Sequence, residues 1–545
     1  MEKGNDFANL RRLTLTERQR FDLEQILNGG FAPLTGYLTE EEYRTVVDSM
    51  RLPSGAVWPM PVVLDVPTDD PAKNGDKMIL CDMYGNPIAY FTVTSIYSPD
   101  KLHEVRQVYG TDSIEHPGVR QILNDTRDKY LGGPVELIAH APVHDFKEHR
   151  FSPTALKEWF ANKGWKKIVA FQTRNPMHRA HYEIVRRAAE KADANVLLHP
   201  VVGQTKEGDI DYISRVRAYK RLVTERMKDS AHLALLPIAM RMAGPREAVW
   251  HALIRKNYGA THFIVGRDHA GPGSDSSGKP FYDPYAAQQL AKQLEGDLGI
   301  EIIPMQEMAY LEEEERYIPS DELKSGQKTQ SISGTQFRSM LRNGEAIPEW
   351  FSFPEVVEEL RIAVAKEARR GAVVFFTGLS GAGKSTIAHV LYHKLLERFD
   401  RSVTMLDGDV VRTHLSKGLG FSKEDRDANI ERIGFVASEI AKHGGIAICA
   451  AIAPYAEARD KNRRLVSGNG AYVEVFVDAP LDVCEARDTK GLYKKARQGL
   501  LKQFTGVDDA YEKPEHAELT INSVTTTPET AAETIIALLR ERGIV

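Results

Sequence analysis

The run Gly378-Leu-Ser-Gly-Ala-Gly383-Lys384-Ser385-Thr386 has the residue types and spacing of a phosphate-binding loop, GxxxxGK[ST]. Its glycines let backbone N–H groups surround a phosphate at a helix N-terminus, while Lys384 neutralises charge and Ser385 can bind Mg²⁺. The apolar run 372–376 predicts a buried strand before the loop, and apolar residues at helical spacing predict a helix after it. The run therefore predicts an ATP site, with Lys384 also catalytic, made of Gly378, Leu379, Ser380, Gly381, Ala382, Gly383, Lys384, Ser385 and Thr386.

His178 and His181 lie three residues apart and follow the apolar run 168–171, which predicts a short buried strand. Residues at this spacing share one face of a helix, so the pair could bind a metal ion. No third ligand follows at a suitable spacing, however, and we expect no zinc site. At a helix N-terminus, where the macrodipole favours anions, both histidines would instead contact phosphates.

A second glycine-punctuated loop, GRDHAGPG at 266–273, follows residues 261–265, which predict a second short strand. From about residue 150 onward, short strands of this type alternate with segments of helical periodicity such as 181–192, which predicts a parallel α/β sheet. Open sheets of this kind bind ligands at the carboxyl ends of their strands. Arg267 in this loop is therefore a candidate for binding an anionic ligand.

The composition limits the classes of function. Lys and Arg total 71 and Asp and Glu total 76, so the net charge is −5 and no global basic field would recruit nucleic acid or an anionic membrane. Cys81, Cys449 and Cys484 are far apart and predict neither a disulfide framework nor a paired-cysteine zinc site. The N-terminal residues form no apolar signal-peptide core, and no apolar run is long enough to span a membrane. We expect a cytoplasmic protein without nucleic-acid or membrane partners.

The C-terminal third contains further segments that are characteristic of one family. They are LDGDVVR at 406–412, GFS at 420–422, DRDAN at 425–429, IAPY at 452–455, KGLYKKAR at 490–497 and FTG at 504–506. With the phosphate-binding loop they resemble adenylylsulfate kinase over about residues 370–545, and together they are far more specific than the loop alone. The resemblance implies that adenylyl sulfate is bound by Asp409, Arg412, Phe421, Arg426, Asn429, Ile452, Lys490 and Phe504.

These residue types suit the chemistry of such a kinase. Asp409, which we expect at a strand end, can hold Mg²⁺ together with Ser385 or accept the proton of an attacking hydroxyl, although it could equally cap the next helix. Guanidinium groups bind tetrahedral oxyanions through paired hydrogen bonds. By resemblance, Phe421 and Phe504 would enclose the acceptor adenine and the basic run 490–497 would form a lid. Each of these features alone is more typical of a core or a solvated surface.

One position departs from the kinase family. Many members carry a serine, phosphorylated in some of them, where this chain has Ala453. A mechanism through a phosphoserine at this position is therefore excluded. Direct in-line transfer needs no such serine, so kinase activity is still expected.

The rest of the chain, over roughly residues 1–350, resembles ATP sulfurylase. The most specific segments are QTRNPMHRAH at 172–181 and GRDHAGPG at 266–273, supported by GGF at 29–31, MRMAGPR at 240–246 and ISGTQFR at 332–338. The resemblance implies that sulfate is bound by Gln172, Arg174, Arg267 and Ala270. It implies catalysis by Thr173, Arg174, Asn175, His178 and His181. It implies an ATP site of Gln172, Thr173, Arg174, Asn175, Gly266, Arg267, Asp268, His269 and Met308.

Sulfate is a weak nucleophile with diffuse charge, so such a site needs little general-base catalysis. It must align sulfate with the α-phosphorus of ATP and neutralise the charge that develops on pyrophosphate. Arginines, histidines and a helix N-terminus can do both, and Mg²⁺ would arrive with the nucleotide because it binds mostly through phosphates. A generic nucleotide-binding domain with another acceptor is the alternative, since related transferases share the His-x-x-His segment.

Together the two resemblances imply an α/β multidomain protein. We expect a β-rich PUA-like N-terminal domain (1–148), a Rossmann-like nucleotidyltransferase domain (149–325), a small connector with a linker helix (326–368) and a P-loop kinase domain (369–545). A length of 545 residues agrees with three or four domains at about 150 residues each. Because the family usually forms homo-oligomers, we expect a homo-oligomer here.

The predicted function is sulfate activation. ATP and sulfate would give adenylyl sulfate and pyrophosphate, and a second ATP would phosphorylate the 3′-hydroxyl to give 3′-phosphoadenylyl sulfate. One alternative is a C-terminal domain that is only a regulatory nucleotide-binding module, against which the complete phosphate-binding loop argues. Another is a sulfurylase that works in reverse to make ATP during sulfur oxidation, and no residue can decide the direction.

Overall fold

The computed structural model describes residues 10–203, 210–364, 371–488 and 491–545. The chain forms two compact units, the first containing residues up to 142 and 148–360 and the second containing 143–147 and 361–545. In the described ranges, no helix is both long and apolar enough to cross a membrane.

The N-terminal part of the first unit is built on a seven-stranded sheet. Its strands are β1 (Arg11–Thr14), β2 (Gly36–Tyr37), β3 (Leu64–Val66), β4 (Lys77–Cys81), β5 (Pro87–Thr92), β6 (Ser95–Tyr97) and β7 (Lys129–Leu137). Its helices are α1 (Glu17–Asn28), α2 (Glu40–Ser49), α3 (Lys101–Tyr109) and α4 (Pro117–Arg120), the last continuing as a π-helical turn. The order is β1-β4-β5-β7-β2, with β3 and β6 also paired to β7, and only the β1–β4 pair is parallel.

A five-stranded parallel sheet forms the middle of the first unit. Its strands are β8 (Ile168–Phe171), β9 (Asn195–Leu198), β10 (Ala231–Leu233), β11 (His262–Val265) and β12 (Glu301–Pro304). Its helices are α5 (Pro153–Asn162), α6 (Arg179–Ala192), α7 (Tyr212–Arg226), α8 (Gly244–Asn257), α9 (Ala286–Gln293) and α10 (Glu295–Leu298). The order β10-β9-β8-β11-β12 reverses direction between β8 and β11, which is where such sheets bind ligands. The parallel α/β sheet expected from the sequence is confirmed.

A small antiparallel sheet ends the first unit. Its strands are β13 (Met308–Leu311), β14 (Arg316–Pro319) and β15 (Thr329–Gln330). The helices α11 (Gly334–Asn343) and α12 (Pro354–Val364) follow the sheet in sequence. The linker helix predicted within 326–368 is observed as α12 up to Val364, and residues 365–370 lie outside the described residues.

The second unit contains a second five-stranded parallel sheet, in the order β17-β18-β16-β19-β20. Its strands are β16 (Ala372–Thr377), β17 (Val403–Asp407), β18 (Ile446–Ala450), β19 (Ala471–Asp478) and β20 (Leu519–Asn522). Its helices are α13 (Lys384–Arg398), α14 (Gly408–His414), α15 (Lys423–Lys442), α16 (Ala456–Ser467), α17 (Leu481–Ala486), α18 (Leu492–Arg497) and α19 (Pro528–Glu541). Every residue of β16 is buried, as expected for a central parallel strand covered on both faces. The strand predicted before the phosphate-binding loop is therefore confirmed.

A buried ion pair joins the N-terminal helix α1 to the loop before α8. Nη2 of Arg241 donates to both carboxylate oxygens of Asp22, at 2.8 and 2.6 Å, and both side chains are almost fully buried. Removing one partner leaves an uncompensated buried charge. We expect Asp22→Ala to lower the free energy of unfolding of the first unit by about 3–5 kcal/mol, measured by denaturant unfolding. Asp48→Ala, at an exposed carboxylate, is the control; equal losses in both variants would contradict this prediction.

Candidate active sites

The segment after β8 forms a tight loop that carries the first group of predicted residues. The Thr173 hydroxyl accepts from the Asn175 N–H at 3.1 Å and donates to the Asn175 carbonyl at 2.9 Å. The Tyr219 hydroxyl of α7 donates to the same carbonyl at 2.5 Å. Gln172 and Thr173 are buried, whereas Asn175 is exposed. These bonds hold the loop in one conformation at the carboxyl end of the sheet.

The two predicted loops of the middle domain lie side by side. Nη2 of Arg174 donates to the Gly271 carbonyl at 3.4 Å, which joins the loop after β8 to the loop after β11. Asp268 and Ala270 both have left-handed backbone conformations, with φ of 49° and 55°. Such conformations are uncommon for residues other than glycine and persist only where neighbours impose them. The N–H of Gly244, at the start of α8, donates to the Ala270 carbonyl at 3.2 Å and is one such neighbour.

His178 and His181 lie at the N-terminus of α6, as predicted, with His178 as the N-cap. The His178 N–H donates to Nδ1 of His181 at 3.3 Å, so the proton of neutral His181 is on Nε2. Nδ1 of His178 is 2.9 Å from the Ser352 hydroxyl, and its ring packs against Phe337 and Phe351, each 4.8 Å away. Burial lowers the pKa of His178 to about 3 and that of His181 to about 4, so both are neutral at pH 7.

The remaining predicted residues of this site differ in their surroundings. Arg267 is half exposed, and its Nη1 lies 3.7 Å from the Glu307 carboxylate, next to Met308 at the start of β13. Met308 is buried. The ring of His269 is turned inward, with Nε2 3.1 Å from Nδ1 of His251. The His269 imidazole therefore supports the loop from inside the protein.

The phosphate-binding loop of the second unit connects β16 to α13, as the sequence predicted. Gly378 and Gly381 have φ of 144° and 73°, and added Cβ atoms would lie 2.5 Å from the Val477 carbonyl and 2.8 Å from the Cys484 carbonyl. Only glycine fits these positions without displacing backbone. Nζ of Lys384 donates to the carbonyls of Gly378 and Leu379 at 2.9 and 2.7 Å. The ammonium group is thus held at the mouth of the loop.

The loop is hydrogen-bonded to the carboxylate of Asp407, a residue that was not among the predicted site residues. Strand β17 ends at Asp407, so Asp409 lies in the first turn of α14 and not at the strand end where we expected it. The Ser385 hydroxyl donates to Oδ2 of Asp407 at 2.6 Å, and the Asp409 N–H donates to Oδ1 at 3.0 Å. Asp407 therefore joins the loop to α14. The LDGDVVR segment contained this residue, and locating the end of the strand would have identified it.

The two predicted acceptor-site arginines are held by neighbouring groups. The guanidinium of Arg412 lies 4.5 Å from the centre of the Phe421 ring, and Phe421 is half exposed. Nε of Arg426 donates to the Phe421 carbonyl at 2.8 Å, and its Nη1 lies 3.3 Å from Oδ2 of Asp509. Arg426 also donates to the Thr505 hydroxyl. These contacts bring Arg412, Phe421 and Arg426 together.

Asn429 and Phe504, two further predicted acceptor-site residues, are buried. Oδ1 of Asn429 is buried and accepts no hydrogen bond from the described residues, so it is available to a ligand donor. Phe504 is buried with its ring 4.9 Å from that of Tyr493. The Ile452 carbonyl accepts from the Thr377 hydroxyl at 2.7 Å. Lys490 lies outside the described residues.

A cavity of about 780 Å³ opens beside the phosphate-binding loop, at the carboxyl ends of β19 and β20. Its lining includes Leu379 of the loop, together with Pro480, Tyr511 and Asn522. This volume lies within the range of small-molecule sites. A cavity of small-molecule size therefore adjoins the phosphate-binding loop, and its lining also contains Asp478, Asp508 and Asp509.

Three family models match this sequence: a PUA-like domain at residues 2–140, ATP-sulfurylase at 147–363 and adenylylsulphate kinase at 370–522. The chain is 46% identical to the sulfate adenylyltransferase of Mycosarcoma maydis, covering 98% of this chain and 95% of that protein. It is 48% identical to that of Chaetomium globosum, covering 100% of this chain and 96% of that protein. This chain belongs to the sulfate adenylyltransferase family. The predicted family is thus confirmed.

This chain is also similar to a solved structure of a hexameric APS kinase from Thiobacillus denitrificans. The match covers 99% of this chain and 95% of that protein, with 33% sequence identity and a TM-score of 0.56. The matches confirm the predicted fold class, which combines a PUA-like domain, a nucleotidyltransferase domain and a P-loop kinase domain. The chain is a sulfate adenylyltransferase and an adenylylsulfate kinase, whose two reactions lead from ATP and sulfate to 3′-phosphoadenylyl sulfate.

A buried polar chain in this sulfate adenylyltransferase was missed by sequence reasoning. Glu247 accepts from the N–H groups of Arg241 and Ala243 at 2.8 and 2.9 Å, and lies 3.4 Å from Nε2 of His251. His251 in turn contacts His269. The chain ties the MRMAGPR segment to the loop after β11. The spacing of Glu247 and His251, four residues apart on α8, was its signal in the sequence.

Acid is expected to destabilise the first unit through its buried histidines. His178 and His181 stay neutral in the folded state down to about pH 3 and pH 4, because burial lowers their pKa values below the ordinary 6.5. The unfolded chain therefore binds more protons below pH 6.5, and the stability present above that pH is lost as pH falls towards 4. We expect the melting temperature to fall over this window, and to fall less steeply in His178→Gln. Exposed His103→Gln is the control; equal slopes for all three proteins would contradict this prediction.

Proposed function

We propose that Gln172, Arg174, Arg267 and Ala270 hold sulfate in line with the α-phosphorus of ATP. The observation that carries this proposal is the bond from Arg174 to the Gly271 carbonyl, which joins the loops after β8 and β11 at the point where the strand order reverses. Placing two reactants in one oriented site removes much of the entropic barrier to their reaction. The ATP site is proposed to be completed by Thr173, Asn175, Gly266, Asp268 and Met308, and by the backbone of His269, whose ring faces inward.

The histidines at the start of α6 are proposed to stabilise the transition state of adenylyl transfer. As pyrophosphate leaves, negative charge develops on its oxygens, and preorganised donors are most effective there. His181 accepts the His178 N–H at Nδ1, and its Nε2–H has no acceptor in the part of the chain that the structure describes. The N-terminus of α6 adds the positive end of a helix dipole. Thr173, Arg174 and Asn175 align the reacting groups in the same loop.

In the kinase step, the phosphate-binding loop from Gly378 to Thr386 is proposed to hold ATP, with Lys384 at its β- and γ-phosphates. The Ser385 hydroxyl and the Asp407 carboxylate, 2.6 Å apart, offer the oxygen ligands that Mg²⁺ prefers. When bound with ATP, Mg²⁺ neutralises charge on the transferring phosphate. Asp409, two residues after Asp407 in the first turn of α14, is proposed to accept the proton of the 3′-hydroxyl.

Adenylyl sulfate is proposed to lie over the second unit between the arginine pair and the two phenylalanines. Arg412 and Arg426 would bind its sulfate and phosphate groups, and Phe421 and Phe504 would contact its adenine. Oδ1 of Asn429, which accepts no hydrogen bond from the described residues, would accept from a ligand donor, and Ile452 is proposed to line the same site. Lys490 is proposed to reach the acceptor from the lid.

The decisive experiment incubates the pure protein with Mg-ATP, labelled sulfate and pyrophosphatase, and separates the labelled nucleotides. Label in 3′-phosphoadenylyl sulfate is the expected result. Label that stops at adenylyl sulfate would mean that the C-terminal domain is only regulatory. The reverse reaction is measured as the ATP formed from adenylyl sulfate and pyrophosphate. A catalyst of the forward reaction also catalyses its reverse. The kinase step favours the forward direction because it consumes adenylyl sulfate.

We further propose that the chain is cytoplasmic and assembles with copies of itself. We also propose that its domain boundaries lie at residues 148, 325 and 368. The similar structure from Thiobacillus denitrificans is named hexameric, which supports an oligomer. Light scattering of the purified protein tests this proposal. A monomer mass near 61.0 kDa at all concentrations would contradict it.

A further inference from the structure

Arg255 of α8 is a buried arginine that contacts the proposed sulfate site from inside the first unit. Its exposed fraction is 0%, and its guanidinium lies 5.7 Å from the centre of the Phe263 ring. Nη2 donates to Oε1 of Gln172 at 2.9 Å and to the His199 carbonyl at 3.0 Å. Nε and Nη1 are buried and have no acceptor among the described residues.

This guanidinium is charged and has no carboxylate partner in the part of the chain that the structure describes. Burial lowers the pKa of Arg255 to about 9, so the group stays protonated at neutral pH. Glu247 acts on it only from a distance, because its oxygens accept the N–H groups of Arg241 and Ala243. A buried charge without a counterion is costly. A bound dianion would supply the missing negative charge.

The same contact determines the orientation of the Gln172 amide. A guanidinium has only donors, so it must face the amide oxygen. Nε2 of Gln172 is thereby left as a donor, and it lies 3.8 Å from Sδ of Met240, a weak acceptor. Sulfate has only acceptors, and an amide nitrogen backed by a positive charge suits it.

We propose that Arg255 is a positioning residue of the sulfate site, which directs the Gln172 amide nitrogen to the anion and places a positive charge behind it. The inference rests on the proposed binding of sulfate by Gln172. Because the electrostatic part of binding grows with ligand charge, Arg255 selects dianions over tetrahedral ions with one charge.

The test measures sulfurylase kinetics in Arg255→Met and Arg255→Lys. We expect Arg255→Met to raise KM for sulfate roughly 10- to 100-fold, the size of a lost hydrogen bond to a charged group, with KM for ATP unchanged. Competitive inhibition by selenate, a tetrahedral dianion, should weaken far more than inhibition by perchlorate, a tetrahedral monoanion. Arg255→Lys keeps the charge and should recover part of the loss. Equal weakening for the two anions, or equal rises in both KM values, would overturn the proposal.

Arg246 provides the matched control on the same helix. Its guanidinium donates to the carbonyls of Val46 and Val47, at 3.2 and 2.9 Å, and does not contact Gln172. We expect Arg246→Met to lower the melting temperature and to leave the ratio of the two KM values unchanged. Arg255→Met removes an unpaired buried charge together with two hydrogen bonds, so its melting temperature is measured beside that of Arg246→Met to separate a loss of folding from a loss of sulfate binding. A control that changes the KM ratio as much as Arg255→Met would overturn the proposal.

Gln172→Ala separates failure of the site from failure of the inference. An unchanged KM for sulfate in Gln172→Ala would show that sulfate binds elsewhere, and the role of Arg255 would fail with the site. A raised KM in Gln172→Ala together with wild-type behaviour of Arg255→Met would overturn the inference alone. In the double variant, we expect a loss smaller than the product of the single losses, because Arg255 acts through Gln172. A loss in the double variant equal to the product of the two single losses would overturn the proposal.

Discussion

Replacing Lys384 by alanine is expected to stop the reaction at adenylyl sulfate. The Lys384 ammonium is held by the carbonyls of Gly378 and Leu379 at the loop where the β- and γ-phosphates are expected. Without it, charge on the transferring phosphate loses a preorganised partner, and we expect the kinase rate to fall roughly 10²- to 10³-fold. The sulfurylase rate, which depends on the other unit, should be unchanged. Labelled sulfate with Mg-ATP and pyrophosphatase measures both rates in one incubation.

Lys394→Ala is the matched control for this variant. Lys394 lies on the same helix, α13, but its Nζ pairs with Glu533 at 2.6 Å, away from the loop. We expect its kinase rate to equal that of the unmodified protein. A normal kinase rate in Lys384→Ala would refute the role of Lys384. Equal losses in both variants would mean that α13 had been damaged and that phosphate contact was not the cause.

Local patterns predicted the features of this chain that depend on neighbouring residues. The strand, glycine loop and helix around Gly378 are contiguous in sequence, and so are β8 and the histidines at the start of α6. The resemblance to two families then supplied functional roles that no local pattern contains. Whether the acceptor residues take those roles stays a prediction.

Contacts between distant parts of the chain could not be predicted in the same way. Asp22 and Arg241 are separated by 219 residues, and His178 and Ser352 by 174, so neither pairing leaves a periodic signal. The position predicted for Asp409 was wrong by two residues. Strand β17 ends at Asp407, so Asp407 and not Asp409 lies at the strand end. Strand ends are set by tertiary packing, which propensity does not contain.

Replacing His181 by alanine is expected to remove most of the sulfurylase activity. The contact from the His178 N–H to Nδ1 of His181 places the proton on Nε2, and the low pKa of about 4 keeps the ring neutral at pH 7. A neutral, oriented donor costs no reorganisation when charge develops on pyrophosphate. We expect kcat for adenylyl sulfate formation to fall roughly 10²- to 10³-fold with little change in KM for ATP.

Two controls show whether this loss belongs to the transition state. Kinase activity with supplied adenylyl sulfate should be unchanged in His181→Ala, and His103→Ala, at an exposed histidine of α3, should change neither reaction. A rise in KM for ATP with unchanged kcat would contradict the proposal, because it would mean that His181 binds ATP and its transition state equally well. A fall in kcat alone requires that the imidazole contacts the phosphates more strongly as pyrophosphate leaves, which is the role assigned to the N-terminus of α6.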